Sequence, residues 1–161
     1  MLKINTDRCI ITKLKQTDID DAINLFTDVR VRHYLGGTIT KEEAVEKIYL
    51  WSNNKYEQYF TVRMLDSNDF IGIISITAHH DGEYKELSYQ FLPKFWGKGI
   101  AMESIKAILE WLKTNGTVTE LIAETQSANL NSCKLLERIG FELVDTVVRF
   151  SENQSIYMIK Y

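Results

Sequence analysis

The chain has 161 residues, of which 45% are hydrophobic and 25% charged, and its formal net charge is −3. That length suits one domain (residues 1–161) built on a single substantial core, and the composition is that of a globular protein rather than a fibrous or disordered one. The slightly acidic balance argues against nonspecific nucleic-acid binding, which needs a basic surface, and no apolar run approaches the length of a membrane span. The first residues lack an apolar signal core. Two cysteines, Cys9 and Cys133, do not make a disulfide framework, so a cytoplasmic chain is expected.

Taken in order, Cys9 to Leu14 alternates loosely and reads as a first strand. Thr17 is placed to cap a helix carrying Ala22, Ile23, Leu25 and Phe26. His33, Tyr34 and Leu35 lead to a break at Gly36-Gly37. Thr40 to Glu43 has the form of a capping box, so a helix should start at about Lys41, with apolar positions at Ala44, Val45, Ile48 and Trp51, and end at Asn53-Asn54. Tyr59 to Leu65 and Phe70 to Ala78 are strand-like, joined by the polar turn Asp66 to Asp69. Asp81-Gly82 marks a hairpin turn into the strand Tyr84 to Leu92. A helix runs from Ile100 to about Asn115-Gly116, with apolar positions at the period of one helical face. Leu121 to Thr125 is a short strand. Asn129 to Ile139 is a helix closed by Gly140. Phe141 to Phe150 and Ser155 to Tyr161 are strands joined at Ser151 to Gln154. The pattern predicts an α/β (α+β) fold, a mixed and mostly antiparallel sheet of about seven strands flanked by about four helices.

Between the strand ending at Leu92 and the helix starting at Ile100 lies a loop containing Lys94, Gly97, Lys98 and Gly99. The first N–H groups of a helix have no intrahelical partner and carry partial positive charge, which makes an anion site. Glycines let a ligand approach the backbone and permit positive φ. A phosphate or pyrophosphate is the expected guest. A Walker A reading fails, because Lys98 is followed by Gly99 rather than Ser or Thr, and a dinucleotide fingerprint fails at Met102. A bare Gly-x-Gly also fits an ordinary strand–helix turn.

The run Phe95 to Glu103, FWGKGIAME, resembles the acetyl-CoA pyrophosphate loop of the GNAT superfamily of N-acetyltransferases, closest to the ribosomal-protein alanine N-acetyltransferase branch. Gly97 and Gly99 fit the pattern, and Lys94 stands where it has Arg or Gln. Asn129 to Phe141, NLNSCKLLERIGF, resembles the family's closing signature, at the expected distance. The resemblance implies that two central parallel strands, Tyr84 to Leu92 and Leu121 to Thr125, splay apart. Tyr89, Gln90, Phe91 and Leu92 would then pair with the pantetheine arm of acetyl-CoA (coenzyme A) as an added strand would. The pyrophosphate would lie over Trp96, Gly97, Lys98, Gly99, Ile100, Ala101 and Met102; Trp96 equally reads as packing at the helix start. Asn129, Asn131 and Ser132 are the remaining cofactor contacts, though Asn129 also reads as a helix cap.

The implied reaction is acetyl transfer to a primary amine of a protein N-terminus or a small molecule. Lys and α-amino groups, with reference pKa values of about 10.4 and about 7.7–8.0, are largely protonated at neutral pH, so a base, a water relay or desolvation is needed. Glu86, on the face shared with Ser88 and Gln90, is the candidate base; it also reads as a solvated strand carboxylate. Glu83, His79 and His80 near the hairpin are weaker candidates, each expected at the surface. An N–H near Phe91 is the candidate oxyanion donor. Ser132 is the candidate to protonate or hydrogen-bond the thiolate, and otherwise a hydroxyl bonded to helix backbone. Cys133 is expected to be a buried apolar residue rather than an acetylated nucleophile. His33 and Tyr34 are expected on the acceptor side. No metal is expected, since His79 and His80 are adjacent and face opposite ways on a strand.

Two other readings compete. A noncatalytic CoA-binding module would keep Gly97, Gly99 and Asn129 but need neither Glu86 nor Ser132, and a P-loop nucleotide binder is opposed by the failed Walker pattern. The acceptor amine is the expected partner, with neither nucleic acid nor membrane, and the chain is expected to be a monomer or homodimer.

Overall fold

The computed structural model describes residues 2–116 and 118–161. Eight strands are found among them: β1 (Lys3–Asn5), β2 (Cys9–Lys13), β3 (Gln58–Met64), β4 (Phe70–Ala78), β5 (Lys85–Phe91), β6 (Glu120–Gln126), β7 (Glu142–Arg149) and β8 (Glu152–Lys160). Their hydrogen-bonded order is β1-β2-β3-β4-β5-β6-β8-β7. The α-helices are α1 (Ile19–Thr27), α2 (Val29–Arg32), α3 (Lys41–Ser52), α4 (Ile100–Thr114) and α5 (Leu130–Ile139). This is the mixed, mostly antiparallel sheet with flanking helices that the sequence predicts, with β1 and α2 added. Each added element spans too few residues for a periodic signal to emerge. No helix among the described residues is long and apolar enough to cross a membrane.

The chain divides into two compact units, Met1–Ser75 with Tyr89–Ile108, and Ile76–Ser88 with Leu109–Tyr161. In the first, β1, β2 and β3 pair antiparallel, with Ile11 opposite Ile4 on one side and Val62 on the other. Leu14, Ala22, Leu25, Phe26, Ala44, Ile48, Tyr59, Phe70 and Ile73 form a core cluster against which Ile39, Trp51 and Leu92 pack. Trp51 stacks on Tyr59 at 4.8 Å between ring centroids and tilts against Phe26 at 5.5 Å. The Thr40 capping box is formed: Glu43 N–H donates to Thr40 Oγ1 at 3.2 Å, and Thr40 N–H to Glu43 Oε2 at 2.8 Å. The cap expected at Thr17 is not, because Gln16–Asp18 make a 3-10 turn. Lys15 N–H instead donates to Asp18 Oδ2 at 2.9 Å, closing that turn one step earlier.

Gly72 in β4 has a steric reason that its sequence neighbourhood does not announce. A Cβ there would fall on the Gln90 carbonyl oxygen and 2.9 Å from Phe91 Cα. Only glycine lets the end of β5 lie so close, and Leu92 N–H then donates to the Ile71 carbonyl at 2.8 Å.

In the second unit, β5 and β6 form the parallel pair, in register at Lys85↔Leu121 and Glu86↔Ile122. The strands continue to Phe91 and Gln126, beyond that last register pair. On its other side β6 pairs antiparallel with β8 from Glu120↔Lys160 to Gln126↔Gln154. The hairpin at Asp81-Gly82 is present: Gly82 has φ +74° and donates to the His79 carbonyl at 2.9 Å. The last connection departs from expectation. It is the two-residue turn Phe150-Ser151, with φ of +53° and +62°, so Glu152 to Gln154 belong to β8 rather than to a loop. Left-handed hairpin turns are signalled by Asn-Gly or Asp-Gly; Phe-Ser carries no such signal.

Candidate active site

The predicted anion loop lies in the first unit. Pro93–Phe95 form a 3-10 turn, with Phe95 N–H donating to the Leu92 carbonyl at 3.0 Å and Trp96 N–H to that of Pro93 at 3.1 Å. The half-exposed Trp96 indole donates its N–H to the Phe91 carbonyl at 2.8 Å. The tryptophan therefore ties the loop to the end of β5. Gly97 and Gly99 are both left-handed, at φ +69° and +75°. Nothing lies within 4 Å of a Cβ built on Gly97, so this glycine answers to backbone conformation rather than crowding. The first i→i−4 bond of α4 runs from Glu103 N–H to the Gly99 carbonyl at 3.1 Å. The amides of Gly99 to Met102 precede it and have no intrahelical acceptor. Lys98 is exposed, and Lys94 lies over the Phe95 ring with its ammonium 3.6 Å from Asp69 Oδ2.

Tyr89, Gln90 and Leu92 are half-buried and Phe91 is buried. Arg32 Nη1 donates to Gln90 Oε1 at 3.3 Å, and Arg32 Nε donates to the Gly37 carbonyl at 2.9 Å. This guanidinium, which sequence reasoning passed over, organises the Gly36-Gly37 break. His33 is exposed and meets the half-buried Tyr34 edge-on, with centroids 4.5 Å apart.

The candidate acid–base residues lie in the second unit. Glu86, on the last register pair of the parallel ladder, is half-buried. Burial and the Glu124 charge push its carboxyl up, while the charges of His79 and Arg149 and the Glu124 backbone N–H pull it down; the balance is about 7. That is the range in which a carboxylate serves as a base near neutral pH. The reading of Glu86 as a freely solvated carboxylate is therefore not what the structure holds.

His79 is not the surface residue expected. Its side chain is fully buried, with Nε2 2.6 Å from Glu124 Oε2 and Nδ1 2.9 Å from Asp81 Oδ2. Glu124 Oε1 in turn lies 3.0 Å from Arg149 Nε. Sequence reasoning missed Glu124 and Arg149; the one signal available was a carboxylate inside an otherwise apolar strand, LIAET. His80 is exposed, but the two histidines do not face opposite ways as adjacency on a strand predicts: both lie beyond the end of β4, and their rings meet edge-on with centroids 5.5 Å apart. Glu83 is exposed. No group of three or more His, Cys, Asp or Glu placed to hold a metal ion occurs among the described residues.

At the start of α5, Asn129 acts as N-cap, its Oδ1 accepting from Ser132 N–H at 3.3 Å. Ser132 is half-buried and Asn131 exposed. Cys133 is buried, as an apolar helix residue would be.

A family model for the acetyltransferase (GNAT) domain matches residues 8–142. An uncharacterized N-acetyltransferase of Bacillus subtilis, YnaD, is 24% identical over 86% of this chain and 82% of its own. Among solved structures, a GNAT-family acetyltransferase from Bacillus anthracis superposes with a TM-score of 0.86 at 22% identity, covering 99% of this chain and 98% of that one. A ribosomal L7/L12 alpha-N-protein acetyltransferase in complex with coenzyme A gives a TM-score of 0.83 at 14% identity, covering 99% and 98%. At these identities the solved structures establish a common fold.

Proposed function

The chain belongs to the GNAT acetyltransferase family and is an N-acetyltransferase, and we propose that it transfers the acetyl group of acetyl-CoA to the primary amine of a protein N-terminus or a small molecule by direct attack in a ternary complex. The observation that carries this reading is the pair of left-handed glycines, Gly97 and Gly99, directly before the first-turn amides of α4, which have no intrahelical acceptor. Backbone N–H groups converging at a helix start suit a diphosphate. Trp96, Lys98, Ile100, Ala101 and Met102 complete that seat, and Tyr89 to Leu92 offer an extended backbone for the pantetheine amides. Asn129, Asn131 and Ser132 take the remaining cofactor contacts.

Acetyl-CoA supplies an acetyl group already activated as a thioester. Glu86 accepts a proton from the incoming ammonium, so that a neutral amine attacks. Its desolvated site, tuned to about 7, supports that role. The backbone N–H near Phe91 donates to the carbonyl oxygen as charge builds there, and the Ser132 hydroxyl donates to the departing sulfur. His33 and Tyr34 line the acceptor side.

The test is thiol release from acetyl-CoA by the whole chain with a panel of amines comprising N-terminal peptides, polyamines and aminoglycosides. Turnover with at least one amine supports the reading. Tight CoA binding with no turnover on any member would favour a binding module instead.

A further inference from the structure

Arg8 belongs to no motif in the sequence, yet it reaches the glycine loop 90 residues away: its Nη1 donates to the Lys98 carbonyl at 2.8 Å. Arg8 is itself held. Its Nε donates to Glu103 Oε2 at 2.7 Å, and its Nη2 lies 2.7 Å from the same oxygen. Glu103 Oε1 accepts from Arg8 N–H at 2.9 Å and from Thr6 Oγ1 at 2.6 Å. The carboxylate that fixes Arg8 thus sits in the first turn of α4, and the guanidinium it fixes grips the peptide just before that helix.

The consequence follows from peptide geometry. In a planar trans peptide the C=O and the following N–H point in opposite directions. Drawing the Lys98 carbonyl toward Arg8 turns the Gly99 N–H away from Arg8. Gly99 takes up this orientation with φ in the left-handed region, at +75°. A Cβ built on Gly99 would be 3.5 Å from Arg8 Nη2, an ordinary contact, so the guanidinium does not crowd the turn it holds. Arg8 also offsets the charge of Glu103, which would otherwise stand bare in the turn whose amides attract an anion.

We propose that Arg8, clamped by Glu103, is a positioning residue that presets the Lys98–Gly99 peptide to receive the diphosphate of CoA. This rests on the reading of Gly97 to Met102 as the diphosphate seat. Two features set Arg8 apart from a surface ion pair: it bridges a carboxylate and a backbone carbonyl at once, and its fork geometry meets both, which a lysine ammonium does not reproduce.

The experiment is calorimetric titration of the whole chain with CoA, together with phosphorus NMR of the saturated complexes, for wild type, Arg8→Ala and Arg8→Lys. Wild type should shift the diphosphate resonances of CoA on binding. Arg8→Ala should weaken CoA about tenfold, and its saturated complex should return the diphosphate resonances toward those of free CoA while leaving the 3′-phosphate resonance in place. Arg8→Lys should stay weakened. Wild-type affinity in Arg8→Ala, wild-type diphosphate resonances in its saturated complex, or full rescue by lysine would each overturn the role given to Arg8 and leave the loop reading standing. Wild type binding CoA with unshifted diphosphate resonances would overturn the loop reading, and the proposal with it.

Discussion

His79 Nε2 lies 2.6 Å from Glu124 Oε2, and no part of the imidazole reaches solvent. Asp81 Oδ2 takes the other ring nitrogen at 2.9 Å, so the ring is clamped between two carboxylates. Burial pushes the imidazole pKa down, but the bonds to Glu124 and Asp81 and the charges of Glu86 and Asp81 outweigh it, and the ring holds its proton to higher pH than an ordinary histidine. Its positive charge, with that of Arg149 and the Glu124 backbone N–H, in turn keeps Glu86 from rising further in a desolvated site beside Glu124. The charges around His79 and Glu86 are therefore linked, and a carboxyl poised near neutrality is the result.

As the proposed base, Glu86 would act only when ionised, so the acid limb of kcat/KM should rise with an inflection near its carboxyl value of about 7. Glu86→Gln should lower kcat by about 10²–10⁴-fold and abolish that limb. The sign for stability is opposite. A carboxyl raised on folding stabilises the protein at low pH, and that contribution is lost as pH rises from the ordinary carboxylate range through about 7. Glu86→Gln should therefore unfold at a higher temperature than wild type at pH 8. A loss of activity without the gain in stability would mean that the carboxylate is not desolvated as described.

His79→Asn removes the cation that Glu86, Glu124 and Asp81 share, while Arg149 stays beside Glu124. The Glu86 carboxyl should then rise, moving the acid limb of kcat/KM to higher pH than in wild type. The variant should also be less stable. The stability that His79 contributes is fully present below its unfolded pKa and fades as pH rises through the raised folded value, so the deficit should be larger at pH 5 than at pH 9. A pH–rate profile and thermal unfolding at those two pH values check both statements. An unmoved acid limb would disconnect His79 from the base.

What could be read from the sequence follows from how far each feature reaches along the chain. The Thr40–Glu43 box, the Gly82 turn and the Gly97–Gly99 loop are local, written within a few residues by capping and φ preferences, and all three stand. The clamp on His79 joins side chains 45 residues apart, and the brace from Arg8 to Glu103 joins residues 95 apart. Strand register and helix placement bring such groups together, and no spacing within one chain encodes them. Gly72 belongs with them, since the backbone that excludes its Cβ is that of Gln90 and Phe91.

The turn between β7 and β8 is held against its residues' preference. Phe150 and Ser151 sit at φ +53° and +62°, where L side chains are strained, and Phe150 is 78% exposed, so packing returns little of that cost. The double substitution Phe150→Asn with Ser151→Gly supplies residue types that favour two successive left-handed positions. Stability should rise by about 1 kcal/mol, read as a higher urea midpoint with an unchanged slope. An unchanged or lower midpoint would mean that the His80–Phe150 ring contact, at 5.9 Å, outweighs the backbone strain.

The loop glycines separate backbone conformation from chemistry. A side chain at Gly97 meets nothing within 4 Å, so the obstacle there is the φ of +69°. Asparagine tolerates that region and valine does not, because its branched Cβ meets the backbone. Gly97→Asn should therefore bind CoA nearly as wild type does, while Gly97→Val should raise the KM for acetyl-CoA about tenfold or more as the loop amides turn from their preset directions. Ser132→Ala should behave oppositely. Its N–H still donates to Asn129 Oδ1, so the cap at the start of α5 survives, and the loss should fall on kcat with KM little changed. Steady-state kinetics on the three variants decide the matter: an asparagine as damaging as valine would show that the loop excludes side chains on account of the ligand rather than the backbone, and a Ser132→Ala effect confined to KM would remove the serine from the departure of the sulfur.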